Sequence, residues 1–193
     1  MSLVVGPSMS SLRDAVCSRT VLPVLLVAAV GGCLPELSRQ LEPVRVGAVA
    51  PDFVLPAARG GSQSLTADRG SVVLLSFLDA DAANVDEQFE ASRQQLVFLK
   101  SMHDQYADAG LRVVVVHAGA PIPARALINY SYDNGLRFPL LTGTAKPSVA
   151  TAFGATSLPT TVVIDREGRL ARRWRGYVPP ARLADAVEAS LDR

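Results

Sequence analysis

The chain has 193 residues, 49% of them apolar, which is enough for one hydrophobic core and too little for two comfortable ones. Its 19 Lys and Arg are interspersed with 18 Asp and Glu, for a formal net charge of +1, so no basic stripe of the kind that tracks nucleic acid is present. The two cysteines, Cys17 and Cys33, both precede Leu34, which leaves the remainder without a disulfide, a thiolate metal site or a cysteine nucleophile.

Taken in chain order, Arg13 and Arg19 precede an apolar run from Val21 to Gly32, of signal-peptide length and too short to span a bilayer as a helix. Val30-Gly31-Gly32-Cys33 follows, and it resembles the lipobox of bacterial lipoproteins, in which the cysteine is lipidated and becomes the mature N-terminus. That resemblance implies a signal peptide over 1–32, a tether over 33–46 with Pro35 and Pro43, and a folded domain over 47–193. An acylated Cys33 would hold the domain at a membrane surface, since each buried methylene contributes about 0.8 kcal/mol. An ordinary signal peptide or an uncleaved anchor is the alternative, and each places the domain outside the cytoplasm.

From Gly47 onward, short β-branched runs alternate with helical patterns, the order of an α/β sheet. Strands are predicted over Val72 to Phe77, Arg112 to His117 and Thr161 to Asp165, with weaker candidates at Phe53 to Leu55, Phe138 to Leu141 and Leu170 to Trp174. The run "RVVVVH" is apolar without alternation, as befits a strand covered on both faces. A helix over about Asp86 to Ala109 aligns Phe89, Leu96, Leu99, His103 and Tyr106 on one stripe and stops at Gly110. Shorter helices fit Pro123 to Asn134, Ser148 to Phe153 and Pro180 to Leu191, and "DREG" at Asp165 to Gly168 reads as a hairpin turn. Tyr130 is expected to pack on the sheet and Tyr132 to face solvent. Trp174, among Arg172, Arg173 and Arg175, reads as an edge strand with basic outward residues.

The stretch "FGATSLPTTVVIDREGRL", Phe153 to Leu170, resembles the cis-proline loop and following hairpin of the thioredoxin superfamily. "GAVAPDFVLP", Gly47 to Pro56, is similar to the opening of its redoxin branch, which holds peroxiredoxins and envelope thiol-disulfide reductases. "SLTADRGSVVLLSF" and "LRFPLLTGTAKPSVATAFGA" continue in that branch's order. The resemblance covers about Gly47 to Leu191 and implies a single-domain thioredoxin-like fold, a central mixed β-sheet flanked by helices, with Leu158-Pro159 in cis. A trans proline entering an edge strand is the other reading of Pro159.

The same resemblance points to a Cys-x-x-Cys at the end of the first core strand, where a helix N-terminus lowers a thiol's pKa. Here Ala82 and Val85 stand where those cysteines would fall, Leu78 where an aromatic residue is usual, and the peroxiredoxin pattern is equally absent. Asp79 and Asp81 occupy this strand end, either as a solvated, helix-capping loop or, with His117 from the neighbouring strand, as a weak hard-cation site. His103 reads as an ordinary helix residue.

The expectation is therefore a membrane-anchored extracytoplasmic redoxin-like protein with a cysteine-less centre, no cofactor and no nucleic-acid partner. It would bind a client peptide or envelope protein at the loop of Thr156, Ser157, Leu158, Pro159 and Thr160, as the superfamily binds extended segments. The alternative is an active thiol-disulfide oxidoreductase or antioxidant-type protein that works through a partner's cysteines or a metal.

Overall fold

The structure is a computed structural model, and it describes residues 42–83, 85–143 and 149–193. Five strands form the main sheet: β3 (Val72–Leu78), β4 (Leu111–His117), β5 (Leu140–Thr142), β6 (Thr160–Ile164) and β7 (Leu170–Arg175). Their spatial order is β5-β4-β3-β6-β7, with β3, β4 and β5 parallel and β6 and β7 antiparallel to their neighbours. A short hairpin of β1 (Val54–Pro56) and β2 (Ser62–Ser64) precedes them. Ala57 bridges Leu141, and Ala58 N–H donates to the Leu140 carbonyl, so the chain after β1 covers the β5 edge.

β3 is buried along its whole length because both sheet faces are covered. Val72, Leu74 and Leu78 pack with α1 (Glu87–Tyr106), α2 (Ala124–Asp133) and α4 (Pro180–Leu191), while Val73, Leu75 and Phe77 pack with Phe53 and Phe153 on the opposite face. Ser76 interrupts the apolar run without penalty, since its hydroxyl meets that of Thr161 across the β3–β6 pair at 2.9 Å.

α1 starts where Asp86 accepts a hydrogen bond from the Phe89 amide at 2.8 Å, with Glu87 and Glu90 in the first turn favoured by the helix dipole. Its inner face carries Phe89, Leu96, Leu99 and Tyr106 as predicted, and also Ser92, Gln95 and Met102. His103 is half-buried, edge-on to Phe138 at 5.5 Å. α4 has the predicted limits, and α2 comes within a residue of its prediction at each end. α3 (Val149–Ala152) falls within the helix predicted over Ser148 to Phe153, whose start at Ser148 lies outside the described residues. Gly168 takes the positive φ of 75° that the β6–β7 turn requires, and the Asp165 carboxylate accepts the Arg169 amide at 2.7 Å.

Of the arginines of β7 predicted to face outward, Arg172 and Arg175 are exposed and Arg173 is half-buried. Arg173 donates to the carbonyls of Val44 at 2.8 Å and Phe153 at 3.2 Å, and Arg175, though exposed, donates to that of Gly154 at 2.9 Å. Their long stems let the guanidiniums reach carbonyls that the sheet leaves unpaired. Val44 also donates its amide to Ala152 at 2.8 Å, so this residue is already in contact with the domain.

Candidate functional site

Strand register brings three loops together at the C-terminal end of β3. Leu78 lies opposite His117 of β4, and Phe77 lies opposite Thr160 of β6. The segment after β3, the segment after β4 and the segment before β6 therefore meet, at the sheet end where open α/β sheets place ligands.

Asp79 is 7% exposed, which corrects the expectation of a solvated loop at this residue. Its amide donates to Ser92 Oγ on α1 at 3.0 Å. Its Oδ1 accepts the Asp81 amide at 2.9 Å, while Asp81 Oδ1 in turn accepts the Ala83 amide at 3.1 Å. Helix capping falls to Asp86, not to Asp79 or Asp81. The buried carboxylate fits because residue 119 is glycine: a Cβ there would lie 2.5 Å from Asp79 Oδ1.

His117 is buried and both of its ring nitrogens are engaged. Nδ1 accepts the Ala80 amide at 3.2 Å, and Nε2 lies 2.8 Å from the Ala120 carbonyl, which assigns the proton to Nε2. Nδ1 stands 3.9 Å from Asp79 Oδ1, beyond hydrogen-bonding distance. The structure thus brings Asp79 and His117 together, with Asp81 hydrogen-bonded to the former, but each is committed to main-chain groups. Among the described residues no three His, Cys, Asp or Glu side chains are grouped to hold a metal ion.

Across from Asp79 runs the loop before β6, and its Leu158-Pro159 bond is cis, as the resemblance implied. Thr160 Oγ1 donates to the Ser157 carbonyl at 2.6 Å, and the Pro159 carbonyl accepts the Gly176 amide at 2.7 Å. Ala155 donates its amide to Ala150 at 2.8 Å. Between these anchors, the amides of Thr156, Ser157 and Leu158 and the carbonyls of Thr156 and Leu158 have no hydrogen-bond partner among the described residues. Thr156 and Ser157 are exposed and Leu158 is half-buried, whereas Pro159 and Thr160 are buried beneath them. A groove of about 370 Å³ separates this loop from Asp79, Asp86 and Gly119.

Reasoning from sequence missed three residues that shape the site. Ser92 and Gln95 sit on the buried stripe of α1, and a polar residue on such a stripe is a signal that it serves a main-chain group. Ser92 holds the Asp79 amide, and Gln95 Oε1 accepts the Val178 amide at 2.8 Å. Gly119 had no local signal, because its need is set by a carboxylate 40 residues away in sequence. Tyr130 and Tyr132 stand as expected, 6% and 65% exposed. Cys33 lies outside the described residues, among which no helix is long and apolar enough to cross a membrane.

Comparison with known proteins bears on this arrangement. The chain is 28% identical over 172 residues to the thiol-disulfide oxidoreductase ResA of Geobacillus thermodenitrificans, covering 89% of this chain and 93% of that one. It is 23% identical over 165 residues to ResA of Bacillus thuringiensis, covering 85% and 90%. Among solved structures, it matches a thiol:disulfide interchange protein assigned as DsbE from Chlorobium tepidum with a TM-score of 0.65 at 25% identity, covering 77% of this chain and 99% of that one. A protein from Sinorhizobium meliloti matches at a TM-score of 0.63 and 29% identity, covering 78% and 86%. The AhpC/TSA family matches residues 46–173, and with the mixed five-stranded sheet and cis-proline loop described above, the chain belongs to that family and has a thioredoxin-like fold.

Proposed function

We propose that this protein is a membrane-anchored, extracytoplasmic member of the family whose redox centre is degenerate, and that it binds an extended client segment along Thr156 to Thr160. The observation that carries this reading is the run of unpartnered main-chain donors and acceptors at Thr156, Ser157 and Leu158, bordering a groove. An extended peptide can pair with such groups by main-chain hydrogen bonds, a mode of recognition that needs no thiol. Ala82 and Val85 stand in the segment where the relatives' name, thiol-disulfide oxidoreductase, calls for sulfur chemistry, and the chain's two cysteines are Cys17 and Cys33. The client is a peptide or envelope protein, because a lipidated Cys33 would hold the domain at the outer face of a membrane.

The test is an affinity screen of the full chain against secreted peptides and envelope proteins. Binding is expected to fall at least about tenfold when a client is N-methylated at the residues facing Thr156 and Leu158, and again with Leu158→Asp, which sets a charge in the groove wall. Binders indifferent to both changes would overturn the reading. Insulin reduction and peroxide consumption should be absent. Reproducible turnover that survives chelator would overturn the reading, and turnover lost with chelator would favour a metal. For the anchor, Cys33→Ala should release the protein from membranes or block its maturation, and mass spectrometry of a mature, soluble chain with an unmodified Cys33 would refute it.

A further inference from the structure

A second cavity, of about 490 Å³, opens beside the Asp79–Ala83 segment, between the first turns of α1 and the outer part of α2. It is large enough to take a small ligand or a long side chain. Its walls include Asp81, Phe89, Arg93, Asn129, Tyr130 and Asp133. Phe89 and Tyr130 meet edge to face, with ring centroids 6.4 Å apart, and give the cavity an apolar side. Tyr130 is 6% exposed, yet its hydroxyl has no hydrogen-bond partner among the described residues. A buried hydroxyl left in that state is uncommon in a folded protein and marks a place where a partner is missing.

The charge of the cavity follows from which groups are already neutralised. Arg93 is committed to Glu90, donating from Nε at 2.9 Å and from Nη2 at 2.7 Å. Asp81 accepts one main-chain amide, and Asp133 has no ion-pair partner among the described residues. Two carboxylates thus face the cavity, next to aromatic rings whose faces attract positive charge, and among the described residues its one lining cation, Arg93, is paired with Glu90. We propose that this cavity is a binding site for an organic cation, a primary ammonium on an apolar stem. Asp81 and Asp133 balance its charge, the Tyr130 hydroxyl accepts one of its hydrogens, and the rings of Phe89 and Tyr130 receive the stem. Two sources share this chemistry, a lysine side chain of a bound client and a free alkyl amine. The site is separate from the groove at Thr156 to Leu158, so it does not depend on the client reading.

The test titrates the full chain with N-acetyl-lysine methylamide and with its uncharged isostere, N-acetyl-norleucine methylamide, following amide resonances and heat. The lysine probe is expected to shift Asn129, Tyr130 and Asp133 and to bind about tenfold tighter than the isostere, an advantage that salt reduces. Asp81→Asn with Asp133→Asn should erase that advantage, and Tyr130→Phe, which keeps the ring, should weaken the lysine probe about threefold. Asp133→Asn alone, on an exposed residue, serves if the double variant folds poorly. Equal binding of the two probes, or a lysine advantage that survives Asp133→Asn and the double variant, would overturn the proposal. Hexylamine titrated alone, beside peptides that differ only in lysine against norleucine, assigns the source, and failure of both overturns the site. Leu158→Asp separates the two readings, because it should abolish groove binding and leave the lysine probe untouched.

Discussion

The two segments that border the groove treat their polar groups in opposite ways. After β3, the amides of Asp79, Ala80, Asp81 and Ala83 are directed inward, to Ser92, His117, Asp79 and Asp81 in turn. Before β6, the amides of Thr156, Ser157 and Leu158 have no such partner among the described residues. The first segment lies at the strand end where the family resemblance would put thiols, and here its amides are satisfied by a network of short polar side chains. The second keeps its main-chain amides exposed and without a partner among the described residues. A loop with satisfied groups is held in one shape, while one with unsatisfied, exposed groups is held only at its anchors and stays available.

The comparison breaks most directly at His117. Replacing it with leucine leaves the buried Ala80 amide without an acceptor and spoils the fit of the ring, and a loss of about 3 kcal/mol is expected by denaturant unfolding. A loss below about 1 kcal/mol would mean that the imidazole is dispensable to the closed segment.

Tyr130 offers a pH handle on the same side. Burial, reinforced by the negative charge of Asp79, pushes its phenol up to about 12. In the unfolded chain a tyrosine titrates near about pH 10, so between these values the folded state holds a proton that the unfolded state has lost. The contribution is fully present below about pH 10 and is lost as pH rises through about 12, an effect of roughly 2–3 kcal/mol. Stability measured across that window should fall less steeply in Tyr130→Phe, and an unchanged slope would place the phenol in contact with water.

Gly119→Ala sharpens the argument about the buried carboxylate. The added Cβ would sit 2.5 Å from Asp79 Oδ1, and displacing that group should cost about 2 kcal/mol. Combined with Asp79→Ala, which removes the obstacle, most of that cost should disappear, a coupling that a double-mutant cycle reads directly. Additive losses would show that the contact is not the cause.

The smallest effect is expected on the open side. Thr156→Ala and Ser157→Ala remove exposed side chains whose neighbours do not depend on them, so stability should stay within about 0.5 kcal/mol of the parent. A larger loss would mean that this loop is as internally committed as the one it faces.

Much of the fold was legible in advance because its signals are local. The β-branched runs of β3, β4 and β6, the Asp-Arg-Glu-Gly turn and the limits of α4 all depend on near neighbours, and the structure departs from them by a residue or two. β2, Ser62–Ser64, escaped notice because three polar residues carry no periodicity and the strand exists only by pairing with β1. The candidate site was half legible. The cis bond followed from the stretch Phe153 to Leu170, but Asp79 was expected in solvent, since nothing near it in sequence announces Ser92 and Gly119 as its surroundings.

The sequence by itself determined the strands, the long helix with its Asp86 cap, the hairpin glycine and the lack of any thiol after Cys33. Those are matters of period, backbone conformation and composition, which a chain carries wherever it goes. Tertiary structure alone decided that Asp79 is buried, that both nitrogens of His117 serve main-chain groups, and that Arg173 turns back to Val44 and Phe153. Gln95 meets the Val178 amide across 83 positions of chain, and Arg173 meets Val44 across 129. A buried polar group takes whichever partner the packed chain brings within reach, and that partner is chosen by the topology of the sheet, which no local pattern records.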